Sequence, residues 1–421
     1  MTDTSNERVT ALPVAPQYIK DFEQLGLGMF VHFGLYSQLR SGEWTKHYQG
    51  ISDADYMPLK ETFDPVSMAE IVSVGKRAGC KYICLTTRHH DGFSLYDTQG
   101  LNDYDAPHAL CGRDLVREFV DECRKADIVP FFYHTTLDWY NPDFNQNFEE
   151  YLVYLRRSVE ILCTSYGKIG GLWFDGNWSR PNNDWQEDAL YSMIRRLQPE
   201  AMIINNTGLA ARGAKGNEYI DSLTYERGRP TPIDRTGMTK YVAGEMCETL
   251  NDHWGDADDL NFKSLRQIIE EICDCRRVGA NMLLNIGPAG DGTVPLMARA
   301  MMDGVGRWMD MYGEAIYNGR PYIARVGMKD FILRDIKDEH TFYLFKYDLS
   351  QRGDQHVTIA TGNGNDTVVL DGFEYEVESV AWMDNGQALD FKCEDGVLTV
   401  ACISYPYGMN HCVRVARIKT K

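Results

Sequence analysis

The sequence predicts an α/β chain: a (β/α)8-like barrel across residues 1–325 and a small C-terminal β-sandwich across residues 326–421. Three observations predict it. Short apolar runs alternate with longer amphipathic ones from about residue 24 to residue 325. Those runs are continuously apolar, which implies strands covered on both faces and paired in parallel through helices. Beyond residue 326 the amphipathic segments stop, and short β-type runs follow one another between Gly, Asp and Asn turns.

The candidate barrel strands are Gly28–His32, Tyr82–Thr86, Ile128–Tyr133, Gly170–Phe174, Ala201–Ile204 and Met282–Asn285, with two weaker ones near Tyr219–Leu223 and Tyr241–Glu245. The helix-like segments Pro65–Ala78, Asp114–Ala126, Phe148–Tyr166 and Trp185–Leu197 fall between them. Eight strand units in roughly 300 residues suit a closed barrel better than an open sheet. The later runs, Asp330–Arg334, Thr341–Lys346, Val357–Ala360, Thr367–Leu370, Tyr375–Glu378 and Val397–Val400, are spaced as in a small sandwich. A length of 421 residues exceeds what one core usually holds, which fits a large unit plus a smaller one.

Apolar residues make up 43% of the chain, enough to bury throughout its length. Sixty-one acidic against 43 basic residues give a net charge of −18, which argues against nucleic acid or an anionic membrane as partner. A neutral ligand and a homo-oligomer stay open. Residues Met1-Thr-Asp-Thr-Ser-Asn-Glu7 have neither the basic start nor the apolar core of a leader, and no apolar run is long enough to span a bilayer. The eleven cysteines are scattered without a framework; Cys80, Cys84 and Cys163 sit in apolar surroundings, and Cys273 and Cys275 face different sides of a helical stretch. The chain as given therefore fits a reduced cytoplasmic interior, although an exported form with its leader removed would look the same.

Polar and aromatic residues collect where the candidate strands end, the place where a barrel carries its active site. His32, then Glu43 and Trp44, follow the first strand; Arg88-His89-His90-Asp91-Gly92-Phe93 follows the second. Tyr133-His134 and Asp138-Trp139 follow the third, and Asp175-Gly176-Asn177-Trp178 the fourth. A strand-end His is often structural and a strand-end Asp often only caps the next helix, but four successive ends enriched in this way point to a site. Trp173 and Trp178 beside Asp175 suit sugar binding, since aromatic faces pack on the C–H patches of pyranose rings. Sugar hydrolysis needs a second carboxyl group, and on the residues alone Glu218, Glu226, Glu245 and Glu248 all remain open. Glu226 has Arg227 and Arg229 beside it, and Glu245 sits at a strand-like end. Neither a metal nor a cofactor is called for: His32, His89 and His90 could serve as ligands, but no His-x-His follows the first strand.

Phe30-Val-His-Phe-Gly34, Gly42-Glu-Trp44, Lys81-Tyr-Ile-Cys-Leu-Thr-Thr-Arg-His-His-Asp-Gly-Phe93, Leu172-Trp-Phe-Asp-Gly176 and Asn281-Met-Leu-Leu-Asn-Ile-Gly-Pro288 resemble, in order, the signature segments of the glycoside hydrolase family 29 α-L-fucosidases. The resemblance covers about residues 18–320 and implies a retaining exo-glycosidase acting on fucosylated glycans or oligosaccharides. It implies Asp175 as nucleophile and His32, Glu43, Trp44, His89, His90 and Tyr133 as the fucose pocket, with Trp178 a further substrate-binding candidate. Thr224-Tyr-Glu226 matches the Thr-x-Glu pattern of the family's acid/base, so Glu226 takes that role, with Glu245 as the alternative.

Two departures stand out. Family members often have Asn-Asp-Arg after the fifth strand, whereas this chain has Asn205-Asn206-Thr207, which leaves Arg212, Arg227 or Arg229 to supply the missing contact. Gly244 stands where many members have Trp, which predicts a gap in the aglycone wall. These departures keep a second reading open, a fucose-binding protein that kept the pocket and lost turnover.

Overall fold

In a computed structural model, residues 12–209, 211–327, 329–354, 356–358 and 366–421 are described. Eight parallel strands close into a barrel in chain order: β1 Leu27–Val31, β2 Tyr82–Arg88, β3 Val129–Thr135, β4 Gly171–Asp175, β5 Met202–Asn205, β6 Ser222–Glu226, β7 Ala243–Thr249 and β8 Asn281–Ile286. Closure comes from β1 pairing with β8, with Leu27 opposite Met282 and Val31 opposite Ile286. Nearly every strand residue is buried, as the unbroken apolar runs require.

The helices lie where the amphipathic segments predict. Leu115–Lys125 starts at Asp114, whose carboxylate accepts from the Arg117 amide at 2.8 Å. Leu265–Arg277 opens with a capping box in which Ser264 and Gln267 bond each other's backbone amides. Among the described residues no helix separates β5 from β6 or β6 from β7. These are the two stretches whose strands were faint in the sequence.

Both faint strands run further than expected. β6 ends on Glu226 instead of Leu223, and β7 extends to Thr249 instead of stopping at Glu245. The polar residues Thr224, Glu226, Glu245 and Glu248 broke the apolar pattern, but each is held inside the fold by bonds that a pattern does not display.

After the 23-residue helix Leu296–Asn318 come two antiparallel sheets. One has the order β13-β16-β11-β10-β9 and the other β12-β15-β14. Their strands are β9 Gly319–Pro321, β10 Phe331–Asp335, β11 Thr341–Lys346, β12 Asp366–Asp371, β13 Val377–Trp382, β14 Phe391–Glu394, β15 Val397–Cys402 and β16 Arg414–Thr420. The run at Val357–Ala360 is not a strand where it is described, at Val357 and Thr358, and its remainder lies outside the described residues, as does the segment Met1–Glu7. The Trp308 indole, on the long helix, donates to the Val413 carbonyl at 2.9 Å and so ties the barrel's last helix to these sheets. No described helix is long and apolar enough to cross a membrane.

Candidate active site

A cavity of about 340 Å³ opens at the C-terminal ends of the barrel strands. Its lining includes His32, Glu43, Trp44, His89, His90, Tyr133, Asp175, Trp178 and Glu226, so nearly every site residue expected from sequence meets in one place. Phe30, Tyr48, Trp173, Asn206, Leu209, Cys247 and Trp254 complete it.

Asp175 is the last residue of β4, and three donors converge on its carboxylate. The Trp178 indole reaches Oδ1 at 2.8 Å, the Asn206 amide reaches Oδ1 at 3.2 Å, and the Tyr133 hydroxyl reaches Oδ2 at 3.2 Å. The same Asn206 nitrogen donates to Glu226 Oε2 at 2.6 Å. Glu226 ends β6, so the two carboxyl groups flank the intervening strand β5, and Asn206, just past its end, bridges them. Thr224 donates to Asn206 Oδ1 at 3.4 Å, which turns the NH2 side of that amide toward the carboxyls.

Burial raises Glu226 to about 7, the charge of Asp175 adds to the rise, and the Asn206 bond and Arg227 oppose it. The opposition from Arg227 is outweighed, because its guanidinium is not turned onto the carboxylate. Instead the Arg227 guanidinium lies over the Trp254 ring and bonds the Asp252 carbonyl, and Arg229 pairs with Asp274. Arg212 bonds the backbone carbonyls of residues 226 and 227. The contact that Thr207 cannot make to Asp175 is therefore supplied by Asn206, one residue earlier, and by none of these three arginines.

Burial holds His32 down to about 3 and His90 down to about 4, so both are neutral at pH 7. Asn285 donates its amide to the Trp254 carbonyl, so its oxygen accepts from His32 Nδ1 at 2.7 Å and leaves His32 Nε2 as an acceptor. Thr135 gives its hydroxyl proton to the Leu137 carbonyl and accepts from His90 Nδ1 at 2.7 Å. His90 Nε2 then presents a lone pair 3.5 Å from Asp175 Oδ2, a pair of acceptors that a ligand hydroxyl can satisfy. Glu43 Oε2 accepts the backbone amides of Trp254 and Gly255, which pins the loop after β1 to the loop after β7. Trp44 stacks on Trp178 with ring centroids 6.0 Å apart and meets His90 edge-on at 5.3 Å. The result is a blind pocket with aromatic walls and acceptors and donors at its rim, suited to a polyhydroxylated ring. Among the described residues no three His, Cys, Asp or Glu side chains converge as a metal site.

Residues 6–314 match the family model for α-L-fucosidase. The chain belongs to the α-L-fucosidase family. It is a glycoside hydrolase, 28% identical over 335 residues to the tissue α-L-fucosidase of Mus musculus, covering 72% of each chain. The human tissue α-L-fucosidase is 27% identical over 335 residues, covering 72% of this chain and 69% of that protein. Among solved structures, the α-L-fucosidase isoenzyme 1 of Paenibacillus thiaminolyticus is 27% identical, covering 96% of this chain and 99% of that one, with a TM-score of 0.80.

Within this family frame, two sequence expectations need correction. Glu245 is not at a strand end: it is the third residue of β7 and points into the barrel, where Tyr82 and Trp173 bond its two oxygens. Cys247, two residues on, is the position paired with Glu226 and lining the cavity, so Glu245 lies below the site. Burial raises it to about 7 as well, so position separates the two glutamates where acidity does not. Gly244, whose side-chain direction alternates with that of Glu245, faces Ile233, Ala280 and Tyr225 outside the barrel. It leaves no gap in a ligand wall. Asn206 and Trp254 were missed as site residues. Asn206 had no signal beyond standing before Thr207, and Trp254 lies in an irregular loop with no strand to place it.

Proposed function

We propose that this enzyme is a retaining exo-α-L-fucosidase that releases terminal α-L-fucose from glycans or oligosaccharides by double displacement. The observation that carries this reading is the Asn206 nitrogen bonded to both Asp175 and Glu226. Two oxygens bonded to one nitrogen at 3.2 and 2.6 Å lie no further apart than the sum of those distances, 5.8 Å. With the trigonal geometry of an amide NH2 the separation is roughly 5 Å. Retaining glycosidases place their carboxyls about 5–5.5 Å apart, whereas inverting ones need about 6.5–9.5 Å to admit a water molecule.

In the first step an Asp175 oxygen bonds to C1 while the glycosidic C1–O bond breaks. Its electron pair stays on the departing oxygen, which takes the proton of Glu226. In the second, Glu226 removes a proton from water, the water oxygen bonds to C1, and Asp175 leaves as a carboxylate. The neutral histidines, Glu43 and Tyr133 would hold the sugar hydroxyls, and Trp44 would cover the C5 methyl. A pocket floored by Phe30, Trp173 and Cys247 suits a terminal sugar.

The test is the anomer released first, followed by proton NMR, together with mass spectrometry after reaction with 2-fluorofucosyl fluoride. α-L-Fucose and a label on the peptide containing Asp175 are expected. β-L-Fucose as the first product would overturn double displacement. No cleavage of any fucoside by the wild type would favour the binding-protein reading instead.

A further inference from the structure

We propose that the polar groove beside the fucose cavity is an aglycone site built for a neutral oligosaccharide and selective against anionic ones. The proposal rests on the reading of the cavity as a fucosidase site. The groove, about 1010 Å³ against about 340 Å³ for the cavity, shares Trp178, Asn206 and Leu209 with it. A sugar linked to fucose has a continuous path between them, past the amide that bonds Glu226. A volume about three times that of the one-sugar cavity accommodates more than one ring.

The lining determines the chemistry. Asn177, Asn183 and Asn217 present side-chain amides to hydroxyl groups, Gln186 and Thr207 bond protein groups, and no lysine or arginine is among the lining residues. The charges are Asp184, Glu187 and Asp188. Nearby cations are engaged by protein groups: Arg180 lies over Phe144 and Phe148 and bonds Asn145, Arg156 bonds the Gln186 oxygen from behind the lining, and Lys215 pairs with Glu218. A sulfate or carboxylate on the aglycone would thus meet three carboxylates and no lysine or arginine of the lining, within the range over which salt screens only partly. Interactions with remote parts of a substrate raise turnover when they help position the reacting bond, so the groove predicts a preference visible in kcat/KM.

The test compares methyl α-L-fucoside, a neutral fucosylated trisaccharide and the same trisaccharide bearing one sulfate. The neutral trisaccharide should exceed the methyl fucoside in kcat/KM by roughly tenfold, and the sulfated one should fall below the neutral by on the order of fivefold. That second gap should narrow in ~0.5 M salt. Ala189→Trp, which fills the groove away from the reacting carboxyls, should abolish the trisaccharide's advantage and leave the methyl fucoside unchanged. Asp188→Lys should close the sulfate gap. Equal values for methyl fucoside and trisaccharide, or for neutral and sulfated trisaccharide, would overturn the proposal. If methyl fucoside is not cleaved at all, the failure belongs to the catalytic reading. Calorimetric binding of the two trisaccharides to Asp175→Ala then decides the groove: equal affinity overturns it, and a weaker sulfated ligand supports it.

Discussion

The indole nitrogen of Trp173 donates to Glu245 Oε1 at 2.9 Å inside the barrel, while Tyr82 bonds the other oxygen. Trp173 stacks on Tyr133 with ring centroids 5.9 Å apart, and the Tyr133 hydroxyl reaches Asp175. A buried carboxyl thereby supports the cavity floor without facing a ligand. Glu245→Gln would set an amide NH2 against one of two donors, at a cost of about 1–3 kcal/mol in thermal unfolding. The expected effect on kcat is small. A large activity loss with unchanged stability would show that Glu245 takes part in the chemistry.

Glu226→Gln should have the opposite profile. Losing a general acid costs about 10²–10⁴-fold in rate on oligosaccharide substrates. Aryl fucosides with acidic leaving groups need little protonation and should lose far less in the first step. Equal losses on both substrate classes would argue against the acid role.

The pH dependence of kcat/KM should carry the Glu226 proton. With Glu226 near 7, activity falls as pH rises through about 7, because the deprotonated group cannot protonate the leaving oxygen. Asn206 donates to Glu226 and so favours its charged form. Asn206→Ala removes that bond, raises the Glu226 pKa, and should move the basic limb to higher pH while lowering the maximum rate. A limb that stays in place would mean that another group titrates there.

Stability should respond to Glu245 with a definite sign. Its folded-state pKa of about 7 lies above the unfolded value of about 4.3, so the native protein binds more protons between these pH values. Stability from this group is full below about pH 4 and is lost as pH rises toward 7. The unfolding free energy of wild type relative to Glu245→Gln should therefore shrink across that window. A constant difference would mean that Glu245 titrates normally.

Gly176 holds a φ of +121°, and a Cβ there would lie 2.4 Å from the Leu137 amide nitrogen. Backbone, not ligand, approaches this glycine. Gly176→Ala should displace the turn that carries Asp175, lowering activity by more than tenfold and stability by about 1–3 kcal/mol. Activity near wild type would show that the loop after β3 can yield.

The sequence alone determined the barrel, its first four strands and the cluster around Asp175, since those features are local. A buried parallel strand is written as an unbroken apolar run, and its C-terminal end as a sudden group of polar and aromatic residues. His32, His89, His90, Tyr133 and Asp175 each follow such a run, so their meeting follows from barrel closure. β6 and β7 were blurred because their polar residues are satisfied by partners distant in sequence, as Glu245 is by Tyr82 and Trp173. For the same reason sequence left Glu226 and Glu245 as rivals, both in faint strands. Register gives them different depths: Glu226 ends its strand opposite Cys247 at the cavity, and Glu245 lies two residues deeper. Tertiary structure alone also placed one amide, Asn206, between both carboxyls. Separation across a barrel is set by strand pairing and tilt, which no spacing along the chain records.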